Sequence, residues 1–171
     1  MSAEFDRLRE LAVEIARHEQ GRRVREIGME NRGPIVDVYL RTAGFDQGVM
    51  DSPTAAGAND RMWCGAFIYW CYLQASRRLN QPLPFSGTHL WGGRRLRIWA
   101  ARHTDARVAD GNVQSGDIFA IRNDHIGIAT GTSVNGIFPT IEGNQGTTSS
   151  VWNGIAPSSQ NIANCIVVVR I

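Results

Sequence analysis

The spacing of apolar residues changes near residue 115, and this change constrains the fold more than any other feature of the sequence. Before that point, apolar residues recur at intervals of three and four, as on one face of a helix. After it, they form short β-rich runs separated by turn residues. Helices followed by an antiparallel sheet predict an α+β fold.

The first hundred residues favour three helices and a shorter fourth. The predicted helices span residues 2–20, 33–44 and 63–79, with a loop over residues 45–60 that is rich in Gly, Ser, Pro, Asp and Asn. Thr88 is a candidate cap for the fourth helix, which Gly92 and Gly93 weaken. The predicted strands cover residues 117–121, 125–130, 137–142 and 165–169.

Composition excludes several classes of protein. The chain has 171 residues, of which 43% are hydrophobic, so it can bury a core without disulfides or metal and is not intrinsically disordered. No run approaches the roughly 18 apolar residues of a membrane span, and the charged N-terminus lacks the apolar core of a secretory signal. A net charge of +2 is too small to indicate a nucleic-acid partner. Lysine is absent, which excludes a lysine Schiff base.

Three cysteines do not form a disulfide framework, because their number is odd. Cys64 and Cys71 share a predicted helix, and the rise between them, about 10.5 Å, exceeds the reach of a disulfide. Cys64 stands where a loop becomes a helix, and a helix N-terminus favours the thiolate. We therefore interpret Cys64 as a candidate nucleophile, with a small buried hydrophobic residue as the alternative. Gly65 would leave space for a substrate, whereas Cys71 and Cys165 are expected in the core.

A nucleophilic thiol needs a base, and among the four histidines His125 is the best candidate. It begins a predicted strand in which alternation places His125, Gly127 and Ala129 on one face. The small residues on this face predict a trough beside the imidazole. The alternative is an ordinary hydrogen-bonded histidine at a sheet edge.

The imidazole also needs an acceptor that holds its other nitrogen. Glu142 and Asn144 are two residues apart, so an extended strand places them on the same side. A solvated, exposed glutamate is the alternative for Glu142. Asp124 adjoins His125, but neighbours along a strand point to opposite faces, so Asp124 is expected to be a poor partner.

Metal and cofactor sites are not indicated by the sequence. It contains no Cys-x-x-Cys pair and no His-x-x-x-His pair, which are usual spacings for zinc. It also lacks a glycine-rich phosphate loop and a dinucleotide fingerprint. We therefore expect no metal and no cofactor.

Four short segments, taken in order, resemble the motifs of CHAP domains, the cysteine, histidine-dependent amidohydrolases/peptidases of the papain-like NlpC/P60 superfamily. The segments are W-C-G-A-F at 63–67, S-G-D-I at 115–118, H-I-G-I at 125–128 and I-E-G-N at 141–144. The family shows W-C-A-x-F-V, P-G-D-hydrophobic, G-H-V-G-hydrophobic and E-G-N. Gly65, Ser115 and Asp124 depart from this pattern. The sister NlpC/P60 family typically shows D-C-S-G around its cysteine, which this chain lacks.

The resemblance extends over roughly residues 10–170 and implies a role for each matched residue. Cys64 would be the nucleophile, His125 the general base, Glu142 the residue that orients it, and Asn144 an auxiliary polar member. Trp63 and Gly65 would contact the substrate. The implied fold is papain-like, a single catalytic domain over 1–171. Its N-terminal helices would lie in 1–44, the nucleophile helix in 60–80 and the antiparallel sheet in 115–171.

The implied reaction is hydrolysis of an amide bond in peptidoglycan, either the N-acetylmuramoyl–L-alanine bond or a peptide bond of the stem or cross-bridge. Two alternatives stay open: a cysteine peptidase or transamidase that acts on protein substrates, and a non-catalytic cell-wall-binding module. Tryptophans 70, 91 and 99 are further candidates for a substrate groove, with core packing as the alternative.

A wall enzyme made in the cytoplasm without a signal peptide would need delivery by phage or by a secretion system. The identity of any immunity or delivery partner stays open. The chain could equally be one domain of a larger protein.

Overall fold

The computed structural model describes residues 3–27, 31–46, 48, 50, 62–109, 111–146 and 153–171. The α-helices are α1 (Ala3–Gly21), α2 (Pro34–Thr42), α3 (Cys64–Leu79) and α4 (Gly93–Arg102). The strands are β1 (Ile118–Ile121), β2 (Ile126–Ala129), β3 (Ile137–Gln145), β4 (Gly154–Asn161) and β5 (Cys165–Val169). Short 3₁₀ turns occupy Gly87–Leu90, Thr104–Ala106 and Ile162–Asn164. The predicted α+β fold is confirmed.

The long helices lie close to their predicted bounds. Proline occupies the first position of α2, where its missing N–H costs nothing. The chain leaves α3 through Asn80, whose φ of 51° is the left-handed conformation common after a helix end. Most of the loop predicted over 45–60 lies outside the described residues.

The region after α3 differs from the prediction at the cap. Ser86, not Thr88, precedes the 3₁₀ turn Gly87–Leu90, and its N–H donates to Nδ1 of His89 at 3.1 Å. The 3₁₀ turn ends at Leu90, and α4 begins at Gly93.

All pairings in the five-stranded sheet are antiparallel, in the order β4-β3-β2-β1-β5. Four strands match predicted runs. β4 was not predicted, because its sequence G-I-A-P-S-S-Q-N has no apolar run and contains a proline. An edge strand tolerates such a residue, since only one of its sides is fully paired.

Helix α3 is the centre of the core and packs against α1 on one side and the sheet on the other. Its fully buried side chains include those of Phe67, Ile68, Cys71, Tyr72 and Ala75. Cys71 therefore lies in the core as predicted, whereas Cys165 is only partly buried and packs at the margin of a smaller cluster. The three cysteines are free thiols.

A buried ion-pair network ties the two ends of the chain together. Asp117, fully buried at the start of β1, accepts from Arg9 of α1 at 3.3 Å and from Arg170 at 2.8 and 2.7 Å. The hydroxyl of Tyr72 donates to the carbonyl of Gly116 beside it. These bonds fix α1, α3 and the sheet relative to one another.

Among the described residues, no helix combines the length and the apolar character that crossing a bilayer requires.

Candidate active site

Cys64 is the first residue of α3 and is 2% exposed. The preceding residue, Trp63, has a non-helical backbone conformation, and its side chain makes no hydrogen bond to the start of the helix. The first backbone N–H groups of an α-helix have no partner within the helix, and together they form its positive end. The sulfur of Cys64 therefore lies at a place that stabilises negative charge.

His125 lies directly before β2 and connects the cysteine to a carboxylate. Its Nε2 is 2.7 Å from Oε2 of Glu142, and its side chain lies near enough to Cys64 for the two to interact electrostatically. Because Nε2 faces Glu142, Nδ1 is the nitrogen that can face the sulfur. Burial by itself would lower the pKa of His125, but the hydrogen bonds and charges of Cys64 and Glu142 outweigh it and raise this pKa to about 10. The surroundings of His125 therefore favour its imidazolium form.

Glu142 is fully buried and its carboxylate is held on both oxygens. Oε2 faces His125 Nε2 and accepts from Gln145 Nε2 at 2.5 Å, and Oε1 accepts from Thr140 Oγ1 at 2.6 Å and Gln160 Nε2 at 3.0 Å. Burial raises the pKa of a carboxyl group, yet the hydrogen bonds from His125, Thr140 and Gln160 prevail and lower the pKa of Glu142. The residue therefore remains a carboxylate, and the alternative of an exposed, solvated glutamate is wrong.

A bulge in β3 changes which residue accompanies Glu142. The register with β4 shifts between Glu142 and Gln145, and Asn144 has a left-handed φ of 60°. Oδ1 of Asn144 accepts from Nδ2 of Asn153 at 2.9 Å, whereas Nε2 of Gln145 lies 3.0 Å from Nε2 of His125. The expected alternation is interrupted here, so the structure brings Gln145, and not Asn144, to the imidazole.

Trp63 does not line an open groove, contrary to the expectation that it contacts substrate. Its side chain is fully buried, stacks on Tyr39 with ring centroids 6.1 Å apart, and donates from Nε1 to Oε1 of Glu26 at 3.0 Å. Its ring also packs on Gly143, where a Cβ would approach it to 2.8 Å. Trp63 positions the start of α3 from inside the core.

Gly65 likewise faces the protein rather than a substrate. A Cβ at this position would lie 1.6 Å from the carbonyl oxygen of Leu90 and 3.2 Å from Cδ1 of Ile126. The glycine therefore allows the turn Gly87–Leu90 to pack directly against the first turn of α3. The space that we expected to admit substrate is occupied by backbone.

The trough predicted beside His125 is also filled. A Cβ on Gly127 would lie 2.5 Å from the ring of Phe119, its partner across β1 and β2, and 2.8 Å from Cγ of Glu142. Gly127 thus makes room for an aromatic ring and for the buried acid.

Asp124 bonds the start of α4 rather than His125, in agreement with the prediction that it would be a poor histidine partner. Its Oδ1 accepts from the N–H of Arg94 at 2.8 Å, and its carbonyl accepts from the N–H of Gly93 at 3.3 Å. The residue has a φ of 62°, a conformation that glycine, asparagine and aspartate adopt most readily. Because glycine also adopts this conformation readily, aspartate can occupy a position where the family that the sequence resembles frequently has glycine.

A second buried carboxylate, Glu26, links the two halves of the site. It accepts from Nε1 of Trp63, and its other oxygen accepts from the N–H of Asn153 at 3.3 Å. Asn153 in turn donates to Asn144 and accepts from the N–H of Glu26 at 2.9 Å. A continuous path of hydrogen bonds therefore connects the residue before Cys64 to the strand that carries Glu142.

Sequence reasoning missed Glu26, Thr140, Gln145 and Gln160 as members of this site. Only Thr140 had a usable signal, because it stands two residues from Glu142 on the same face of β3. The others depend on a bulge, on an unpredicted strand and on a contact across the chain.

No group of three or more metal-ligating side chains comes together in the part of the chain that the structure describes. Comparisons with protein-family models, with curated proteins and with solved structures found no match.

Proposed function

We propose that this protein is a cysteine hydrolase that cleaves an amide bond, with Cys64 as the nucleophile and His125 as the general acid and base. The observation that carries the proposal is the imidazole of His125, which lies near Cys64 and 2.7 Å from the buried carboxylate of Glu142. A thiol activated by an oriented imidazole is the arrangement that nucleophilic catalysis by cysteine requires.

The first half of the reaction forms an acyl-enzyme. The thiolate of Cys64 attacks the amide carbon, a C–S bond forms, and the carbonyl electron pair moves onto oxygen. Backbone N–H groups at the start of α3, including that of Cys64, stabilise this oxyanion. When the pair returns, the C–N bond breaks and the leaving nitrogen takes the proton of His125.

The second half consumes water and restores the thiolate. Neutral His125 takes a proton from water while the water oxygen attacks the thioester carbon. The C–S bond then breaks, and the product leaves as a carboxylic acid. Glu142 stays ionised throughout and stabilises the imidazolium each time it forms.

We further propose a papain-like CHAP domain whose substrate is peptidoglycan, and the four ordered motifs support this assignment. The bond would be the N-acetylmuramoyl–L-alanine amide or a peptide bond of the stem or cross-bridge. The protein would then act on the bacterial cell wall.

The experiment that tests the proposal is the release of soluble fragments from purified peptidoglycan, with the products identified by mass. We expect wild-type protein and Cys165→Ala to release fragments and Cys64→Ala to release none. Cys165 is a suitable control because it is a second free thiol whose pKa, raised to about 11 chiefly by burial, keeps it protonated at neutral pH.

Other outcomes would contradict parts of the proposal. Release by Cys64→Ala would exclude this residue as the nucleophile. If wild-type protein releases nothing but a thiol-reactive probe labels Cys64 alone, a peptidase or transamidase on protein substrates becomes the better explanation. Absence of both activities would favour the non-catalytic wall-binding module.

A further inference from the structure

The exposed surface of α4 carries an unusual concentration of positive charge. Four of its ten residues are arginines with exposed side chains, and a fifth exposed arginine lies in the turn between β1 and β2. We call this set the basic face: Arg94, Arg95, Arg97, Arg102 and Arg122. α4 contains no acidic residue.

Carboxylates pair with several arginines elsewhere in the protein, but in the described part of the chain none pairs with those of the basic face. Arg7 pairs with Glu10 and Glu14, and Arg22 pairs with Glu19. Among the described residues, no arginine of the basic face forms an ion pair; Arg95 instead lies over the ring of Trp91, 5.1 Å from its centroid. The positive charge is therefore available to a ligand.

Helix stability does not explain the arginines at the start of α4. Arg94 and Arg95 lie in the first turn of α4, where the positive end of the helix dipole disfavours cations. Arg94 and Arg97 are three residues apart, so their like charges repel on one side of the helix. Asp124 offsets part of the effect by accepting from the backbone N–H of Arg94, but its carboxylate is committed to the helix start.

The N-terminal end of α4 lies near both halves of the candidate active site. α4 follows the turn whose Leu90 carbonyl packs on Gly65, the residue after Cys64. Its first N–H groups bond Asp124, the residue before His125. A ligand that extends from Cys64 past His125 would therefore approach the start of α4, where Arg94 and Arg95 lie.

We propose that the basic face binds the free carboxylates of the peptide strands in peptidoglycan and holds them beside the nucleophile. This inference rests on the proposed function. Guanidinium groups suit the role because they are always charged and bind carboxylates through two parallel hydrogen bonds. Several exposed arginines on one surface also suit a polymeric substrate, whose repeated carboxylates can occupy them together.

The test compares binding to purified peptidoglycan in a Cys64→Ala background, which prevents cleavage during co-sedimentation. We expect the triple variant Arg94→Gln, Arg97→Gln, Arg122→Gln to bind about tenfold more weakly at low salt, since three exposed ion pairs together contribute on that order. The difference should shrink as salt is raised. The matched control removes three other exposed arginines through Arg41→Gln, Arg77→Gln and Arg78→Gln and should bind like the background protein.

Chemically altered peptidoglycan identifies the anion. Amidation of its carboxyl groups should weaken binding of the background protein about as much as the triple variant does, whereas removal of attached phosphate polymers should leave binding unchanged. The opposite pattern would overturn the inference in favour of a phosphate polymer. Equal weakening of the triple variant and the control would overturn it in favour of nonspecific charge attraction.

The rate at which iodoacetamide alkylates Cys64 separates this inference from the proposed function. With Cys64 restored, the triple variant should be alkylated at the wild-type rate, because its substitutions leave the thiol and imidazole in place. Cleavage by the wild type with undiminished binding by the triple variant would refute only the role of the basic face. Absence of both binding and cleavage by the wild type would refute both proposals.

Discussion

The pKa of His125 provides the sharpest test of the site, and Glu142→Gln is the perturbation that tests it. The rise from the ordinary value of 6.5 to about 10 corresponds to about 5 kcal/mol in favour of the imidazolium. Cys64 and Glu142 both contribute through hydrogen bonds and charge. The substitution removes the charge of Glu142 but keeps a side chain of nearly the same shape.

The magnitude follows from the 2.7 Å contact between Nε2 of His125 and Oε2 of Glu142. An opposite charge at such a distance typically changes a pKa by about 1 to 3, so the pKa of His125 in Glu142→Gln should lie between about 7 and 9. The proposed hydrolysis requires the imidazolium, which would donate a proton to the leaving nitrogen. At pH 9.5 the variant should therefore retain about a quarter or less of its own neutral-pH kcat/KM, whereas wild type should retain most of its activity.

Two measurements check this prediction, an NMR titration of the His125 ring and the alkaline limb of the kcat/KM profile. Glu10→Gln is the matched control, because it makes the same chemical change at an exposed glutamate of α1. Circular dichroism should show that each protein remains folded at the pH values compared. If the alkaline limb and the titration of folded Glu142→Gln both coincide with those of wild type, the carboxylate does not sustain the imidazolium and the reasoning fails.

Three further predictions concern packing and positioning around the site. Gly65→Ala should reduce the free energy of unfolding by at least about 2 kcal/mol in urea denaturation, because its Cβ would overlap a backbone carbonyl. The control Gly21→Ala should not reduce it, because a Cβ there meets nothing within 4 Å. Gln145→Ala should lower kcat/KM more than Asn144→Ala does, because only the former removes a donor to the buried carboxylate; an equal effect of both variants would contradict this. Glu26→Gln should lower the free energy of unfolding by about 1 to 3 kcal/mol and slow the alkylation of Cys64, because its amide group would face a backbone N–H. A wild-type alkylation rate would show that the hydrogen bonds of Glu26 do not position the thiol.

Helix α3 was predictable because its signals are local. The apolar spacing predicted α3, and the transition from loop to helix predicted that Cys64 lies at its start. His125 and Glu142 were singled out for a similar reason, since each stood out within its own short strand. What these residues share is that their neighbours along the chain were sufficient to single them out as candidates.

The errors arose where a contact joins distant parts of the chain. Gly65 was interpreted as space for substrate, yet Leu90, 25 positions away, fills that space with a carbonyl group. Alternation placed Asn144 beside Glu142, but a bulge rotates the chain and places Gln145 there instead. A bulge is set by pairing with another strand, so the local sequence does not reveal it.

The failure to predict β4 and the burial of Glu142 have a common physical origin. A carboxylate in the core is costly unless hydrogen-bond donors surround it, and one of those donors, Gln160, lies on β4. A strand that supplies a polar side chain toward a buried charge cannot display the apolar alternation by which strands are recognised. Part of the polarity that hid β4 from sequence analysis is thus what keeps Glu142 ionised. Gln160→Leu should therefore leave the strand in place but raise the pKa of Glu142. Burial favours the neutral acid, and the carboxylate would then have one hydrogen-bond donor fewer to stabilise it.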